Sequence, residues 1–144
     1  MKFENILIVC VGNICRSPTV ELMFKQRWPN KHISSAGVGA LVDKPMDATA
    51  MALAAEHNFD GTDHRGRQLT AAIAAMADLI IVMEKGHIAA VERIAPGSRG
   101  KVFLLGKWQQ DLEIPDPYRQ SREAFEHVYT LMENSTASWA KVLG

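Results

Sequence analysis

Apolar residues switch between two spacings along this chain, and the switching predicts strands separated by helices. Asn5 to Val9 carries the unbroken run Ile6-Leu7-Ile8-Val9, which suits a strand covered on both faces. Val20, Phe24 and Trp28, joined by Leu22 and Met23, recur at helical spacing, so Thr19 to Trp28 reads as an amphipathic helix stopped by Pro29-Asn30. His32 to Ala36 is a short second strand, followed by a loop from Gly37 to Pro45. Asp47 reads as the N-cap of an alanine-rich helix from Ala48 to His57. Asn58 to Arg67 is loop-like, and Thr70 caps another short helical stretch. Asp78 to Met83 is the strongest strand after the first. Lys85 to Ile94 reads as helical and ends before Pro96-Gly97, and Val102 to Leu105 is a fourth strand. Trp108 to Arg119 is a long connection containing two prolines, and Ser121, with Glu123 and Ala124 behind it, opens a final helix through about Lys141.

Strands alternating with helices predict an α/β fold: one domain over residues 1–144, a parallel sheet of four strands, and helices on both faces. In such sheets ligands bind beyond the carboxyl ends of the strands, where the chain direction switches. Cys10 lies at that end of the first strand. No internal repeat, low-complexity tract or linker divides the chain.

Composition narrows the function classes. The 144 residues are 47% hydrophobic and 22% charged, which places the chain among soluble globular proteins with a core of ordinary size. Formal net charge is zero, so no global field favours nucleic acid or an anionic membrane, and any attraction for phosphate must be local. Apolar runs are too short to span a bilayer, and the first strand begins at once, so neither membrane insertion nor a signal peptide is expected. The two cysteines stand in one loop, which argues against a disulfide framework and for a reducing cytoplasm. The five histidines are scattered, and no metal or other cofactor is expected.

The chemistry concentrates in Cys10-Val11-Gly12-Asn13-Ile14-Cys15-Arg16-Ser17-Pro18, directly after the first strand and before a helix. A helix N-terminus offers free N–H groups and the positive end of its dipole, and Arg16 adds a fork that matches two phosphate oxygens. A thiol at the mouth of such a cradle loses its proton easily, because the same donors stabilise the thiolate. A cysteine ending a buried strand is more often a small core hydrophobe, and Cys-x5-Arg alone is a weak pattern. The flanks shift the balance. Gly12 allows close backbone approach, Asn13 tolerates the left-handed conformation, Ser17 offers a hydroxyl near Cys10 or a helix N-cap, and Pro18 suits a first helical turn. Cys10 is the candidate nucleophile, with Arg16 and the loop N–H groups holding the non-bridging oxygens. Asp116, braced between Pro115 and Pro117, is a candidate general acid; a turn aspartate is the alternative reading.

This loop resembles the active-site loop of the low-molecular-weight protein tyrosine phosphatase family, with its pattern C-x-G-N-x-C-R-S-P. The likeness continues through Ser35-Ala36-Gly37, His64 with Gln68-Leu69, Asp78-Leu79-Ile80 with Met83-Glu84, and Asp116-Pro117-Tyr118. It is strongest toward bacterial members that accompany tyrosine autokinases of capsule and exopolysaccharide export. The resemblance implies a cytoplasmic protein-tyrosine phosphatase working through a cysteinyl-phosphate, with a tyrosine-phosphorylated autokinase as substrate. It implies that Val11, Gly12, Asn13, Ile14, Cys15 and Ser17 form the phosphate cradle. It also implies that Asn13 is tied to Ser35 and His64, and that Leu41 and Tyr118 wall the slot. Ile14 stands where phosphoarginine phosphatases of similar loop carry threonine, which favours phosphotyrosine. Cys15 either traps an oxidised Cys10 as a disulfide or fills space under the loop. Three other readings compete: an arsenate reductase, which needs cysteines beyond Cys15 that this chain lacks; a phosphoarginine phosphatase; and a non-catalytic phosphopeptide-binding module.

Overall fold

A computed structural model describes residues 2–144. The strands are β1 (Asn5–Cys10), β2 (His32–Gly37), β3 (Leu79–Val82) and β4 (Val102–Leu104). All pair in parallel in the order β2-β1-β3-β4. The helices are α1 (Arg16–Arg27), α2 (Ala48–Glu56), α3 (Ala71–Ala75), α4 (Lys85–Ile94), α5 (Arg122–Ser138) and α6 (Ala140–Leu143), with one 3-10 turn at Arg99–Lys101. The period-two pleat explains the apolar runs of β1 and β3. Ile6, Ile8, Cys10, Leu79, Ile81 and Met83 face a core built with Val20 and Phe24 of α1 and Phe125, Val128 and Met132 of α5. Leu7, Val9, Ile80 and Val82 face a second core under Ala74 of α3 and Val91 of α4. Both faces are covered, so an alternating polar pattern is absent.

Two boundaries differ from the sequence expectation by more than a residue. The first helix begins at Arg16, not Thr19, because Pro18 and its neighbours occupy the first turn before the apolar stripe starts. The N-cap is therefore Cys15, and the N-cap reading of Ser17 is corrected: Ser17 is the second helical residue. The final helix breaks at Trp139, whose buried indole N–H donates to the Leu105 carbonyl, leaving α6 as a separate turn. Asp47, Thr70 and Ser121 cap their helices with side-chain acceptors. Among the described residues no helix is long and apolar enough to cross a membrane.

Strand β1 continues to β2 on one side and pairs with β3 on the other, so the switch point of the sheet lies beyond the carboxyl ends of β1 and β3. Cys10 ends β1 there, and Met83-Glu84 follows β3 at the same edge.

Candidate active site

The loop from Cys10 to Cys15 is held from outside through its carbonyls. Cys10 O accepts from Val38 N, Val11 O from Gly39 N, Gly12 O from Leu41 N, Ile14 O from Asp47 N, and Cys15 O from Thr19. Asn13 O lies 2.6 Å from His64 Nε2. The N–H groups of Gly12 to Cys15 donate to no other described residue. With every carbonyl drawn away, the loop presents its donors inward, which is the arrangement an anion needs.

One left-handed residue makes this path possible. Asn13 has φ 59°, and its side chain fixes the turn by bonding in three directions. Its Nδ2 donates to Ser17 Oγ at 2.8 Å and to Ser35 Oγ at 3.0 Å, while Oδ1 accepts from Arg67 N at 2.9 Å. Ser35 Oγ in turn donates to Glu21. The expected ties of Asn13 to Ser35 and His64 are both present in this geometry, through the side chain and the backbone carbonyl respectively. Gly37 must lack a side chain, since a Cβ there would collide with the Val11 carbonyl. Gly12 has space: a Cβ would meet only the Ile14 and Leu41 side chains, at 3.8 and 3.9 Å.

Cys10 and Arg16 are each only 2% exposed. Cys10 Sγ lies 2.9 Å from Ser17 Oγ. Asn13 Nδ2 can only donate, so the Ser17 oxygen accepts from it, and the hydroxyl proton is left for the sulfur. Arg16 is clamped through one nitrogen, Nη1, which donates to Glu84 Oε2 at 2.5 Å and to the Ile114 carbonyl at 2.7 Å. Its other terminal nitrogen, Nη2, lies 3.7 Å from Asp116 Oδ2. The Asp116 side chain is 45% exposed, and its Oδ1 accepts from Tyr118 N at 3.0 Å. The long connection carrying Asp116 is pinned to the sheet, because Ile114 N donates to Met83 O.

These groups surround a cavity of about 200 Å³ lined by Cys10, Val11, Gly12, Ile14, Cys15, Arg16, Gly39, Leu41, Asp116 and Tyr118. Leu41 and Tyr118 are exposed at its edge. Of the residues singled out in the sequence, Asn13, Ser17, Ser35 and His64 lie behind the loop and support it rather than line the cavity. Burial, followed by the carboxylates of Asp47 and Asp116 and the Cys10 sulfur, pushes the Cys15 thiol far above the usual range. Protonated in this way, Cys15 is a slow attacking group toward an oxidised neighbour.

Sequence reasoning missed the residues that clamp Arg16 and, of those that hold Asn13, it missed Arg67. Glu84 lies in the Met83-Glu84 part of the family likeness, and its signal is an acid directly after β3, at the same sheet edge as Cys10. Arg67, whose Nε donates to Ser35 O, and Gln68, which bonds Ala40 N and Val38 O, brace the loops behind the cavity. His87, buried in the first turn of α4, accepts from Glu84 N through Nδ1 and places Nε2 3.7 Å from Glu84 Oε2. Burial, with Arg16 adding to it, holds this imidazole below its ordinary value.

Known proteins share this architecture. The chain is 52% identical over 143 residues to the low molecular weight protein-tyrosine-phosphatase Etp of Escherichia coli K12, covering 99% of this chain and 97% of that one. It is 52% identical over 141 residues to the low molecular weight protein-tyrosine-phosphatase Wzb of Salmonella typhimurium LT2, covering 98% and 95%. The structure of Vibrio vulnificus Wzb in complex with benzylphosphonate superposes with a TM-score of 0.94 at 49% identity, covering 97% of this chain and 99% of that one. Residues 5–144 match the sequence pattern described as low molecular weight phosphotyrosine protein phosphatase, and the chain belongs to that family of enzymes.

Proposed function

We propose that the chain acts as one domain that hydrolyses phosphotyrosine in a protein, with Cys10 as nucleophile, Arg16 and the loop N–H groups as phosphate holders, and Asp116 as general acid. The observation that carries this reading is the Cys10 sulfur at 2.9 Å from the Ser17 hydroxyl, at the floor of a cavity whose rim holds Asp116. Attack by Cys10 forms an S–P bond and breaks the P–O bond to the tyrosyl oxygen, which takes the proton from Asp116. Water, deprotonated by the same carboxylate, then attacks phosphorus and expels the Cys10 thiolate, releasing inorganic phosphate. Arg16 and the loop donors follow the three non-bridging oxygens as the phosphoryl group flattens, and the clamp by Glu84 and Ile114 O keeps the guanidinium from reorganising.

Ile14 and Leu41 give the cavity hydrocarbon walls, which favour an aromatic leaving group over a phosphoarginine. The binding of benzylphosphonate, a non-hydrolysable aryl-methyl phosphonate, by the related Vibrio Wzb supports the same substrate class. The substrate we assign is the tyrosine-phosphorylated region of an autokinase of polysaccharide export, and the location that goes with this reading is the cytoplasm. Cys10→Ser keeps the cradle and Arg16, so it should retain phosphorylated protein without turning it over, whereas Arg16→Ala should lose both. A pull-down with the Cys10→Ser chain from the native host should recover one tyrosine-phosphorylated kinase. Recovery of phosphoarginine proteins instead would overturn the substrate class, and measurable hydrolysis by Cys10→Ser would overturn the covalent step.

A further inference from the structure

We propose that Arg119 determines specificity by favouring phosphotyrosine sites that carry a second negative charge close to the phosphorylated residue; this rests on the phosphotyrosine reading above. Tyr118 lines the cavity and is exposed at its edge, and the Arg119 guanidinium carbon lies 5.2 Å from the centroid of the Tyr118 ring. The placement is built into the backbone. Arg119 has φ 63°, in the left-handed region, and its guanidinium lies over the preceding ring. The turn around it is tied to itself: Tyr118 N donates to Asp116 Oδ1, Gln120 Nε2 to Asp116 O, and Gln120 N to Pro117 O. The guanidinium is thus held against the wall that a bound phosphotyrosine touches.

Its charge is uncommitted. Arg16 is engaged by Glu84, and Arg122, three residues beyond Arg119, by Glu56 and Glu126. Among the described residues no carboxylate pairs with Arg119. A ring face attracts the flat of a guanidinium and leaves its edge donors pointing outward, in the fork that suits a carboxylate or phosphate. A cavity of about 200 Å³ has room for the phosphorylated side chain but not for its neighbours, so the flanking residues of a peptide must cross this rim. The chain is neutral overall, so the selection is local and acts only on charges that reach Arg119.

The test compares kcat/KM for phosphotyrosine peptides that differ at one flanking position, with Asp against Asn placed in turn at the two positions before and the two after the phosphotyrosine. A second series carries phosphoserine there, to separate a carboxylate from a second phosphate. An exposed ion pair supports a preference of about two- to fivefold for Asp at one or more positions at low salt, larger for the phosphate, and shrinking toward one near 0.5 M salt. In Arg119→Gln the ratios should fall to about one, while kcat and KM for an unflanked aryl phosphate stay at the parent values. Ratios near one at every position in the parent, or ratios unchanged in Arg119→Gln, would overturn the proposal. Absence of turnover on every phosphotyrosine peptide, with aryl phosphate still cleaved, would remove the substrate reading beneath it instead.

Discussion

Ser17 shows how much one hydroxyl is asked to do. Its oxygen accepts a hydrogen bond from Asn13 Nδ2 while its O–H donates to Cys10 Sγ, so it stabilises the sulfur whenever that atom carries charge. Charge builds on the sulfur a second time when the cysteinyl-phosphate breaks down. A hydrogen bond to a charged group contributes about 1.5–3 kcal/mol, so Ser17→Ala should lower turnover by roughly 10- to 100-fold, with breakdown of the intermediate suffering most. A burst of phenol release in rapid-mixing kinetics would display that shift, and uniform slowing without a burst would count against it. Asp116 is tested by leaving-group chemistry. Asp116→Asn keeps the size and most hydrogen bonds, so its effect should approach the ~10²–10⁴-fold typical of general acid catalysis for a poor leaving group such as tyrosine, and be much smaller for an acidic phenol. Plots of first-step rate against leaving-group pKa should steepen in the variant; parallel plots would reduce Asp116 to a turn residue. Cys10, Arg16 and Ser17 were legible in the sequence because they stand within one short stretch of the chain. The clamp on Arg16 was not, since its partners lie 68 and 98 residues away and one of them is a backbone carbonyl.

At the level of elements, the helix termini do much of the positioning. Asp47 caps α2 with its carboxylate and donates its own N–H to Ile14 O, so the start of one helix holds the loop that precedes another. Helix α4 begins with a reciprocal cap in which His87 replaces the more common Glu or Gln, bonding Glu84 N while Glu84 accepts from the His87 N–H. That bond needs an unprotonated Nδ1, and burial with Arg16 lowers the folded-state value of His87; Glu84, Glu113 and Asp116 oppose the shift without reversing it. The unfolded chain therefore binds more protons than the folded one below about pH 6.5, the ordinary value of histidine. This contribution is fully present above that pH and is lost as pH falls toward the folded-state value. Urea midpoints of the parent should drop between pH 6.5 and 5 by more than those of His87→Gln, which keeps an acceptor but cannot titrate; equal drops would show that His87 is not the group responsible. Element types were legible from periodicity, and most boundaries fell within a few residues. The start of α1 was not, because Arg16, Ser17 and Pro18 carry no apolar stripe, and the break before α6 depends on Trp139 reaching Leu105, a contact no local pattern encodes.

The whole molecule recognises phosphate without an attractive global field. Sixteen basic and sixteen acidic residues cancel, and on the proposed mechanism the phosphate itself is held by a buried arginine, the loop N–H groups and the end of one helix. Charges withdrawn from solvent are screened weakly by salt, while a surface field would collapse beyond a Debye length of ~8 Å at physiological ionic strength. For a small aryl phosphate with no flanking charge, kcat/KM should therefore change by less than about threefold between 0.02 and 0.3 M sodium chloride. A fall of tenfold or more would mean that exposed cations steer the substrate and that the buried cradle is not the main source of affinity. The same titration with an acidic phosphopeptide should be steeper, because that substrate also meets exposed Arg119. The difference between the two slopes measures what the rim adds to the floor.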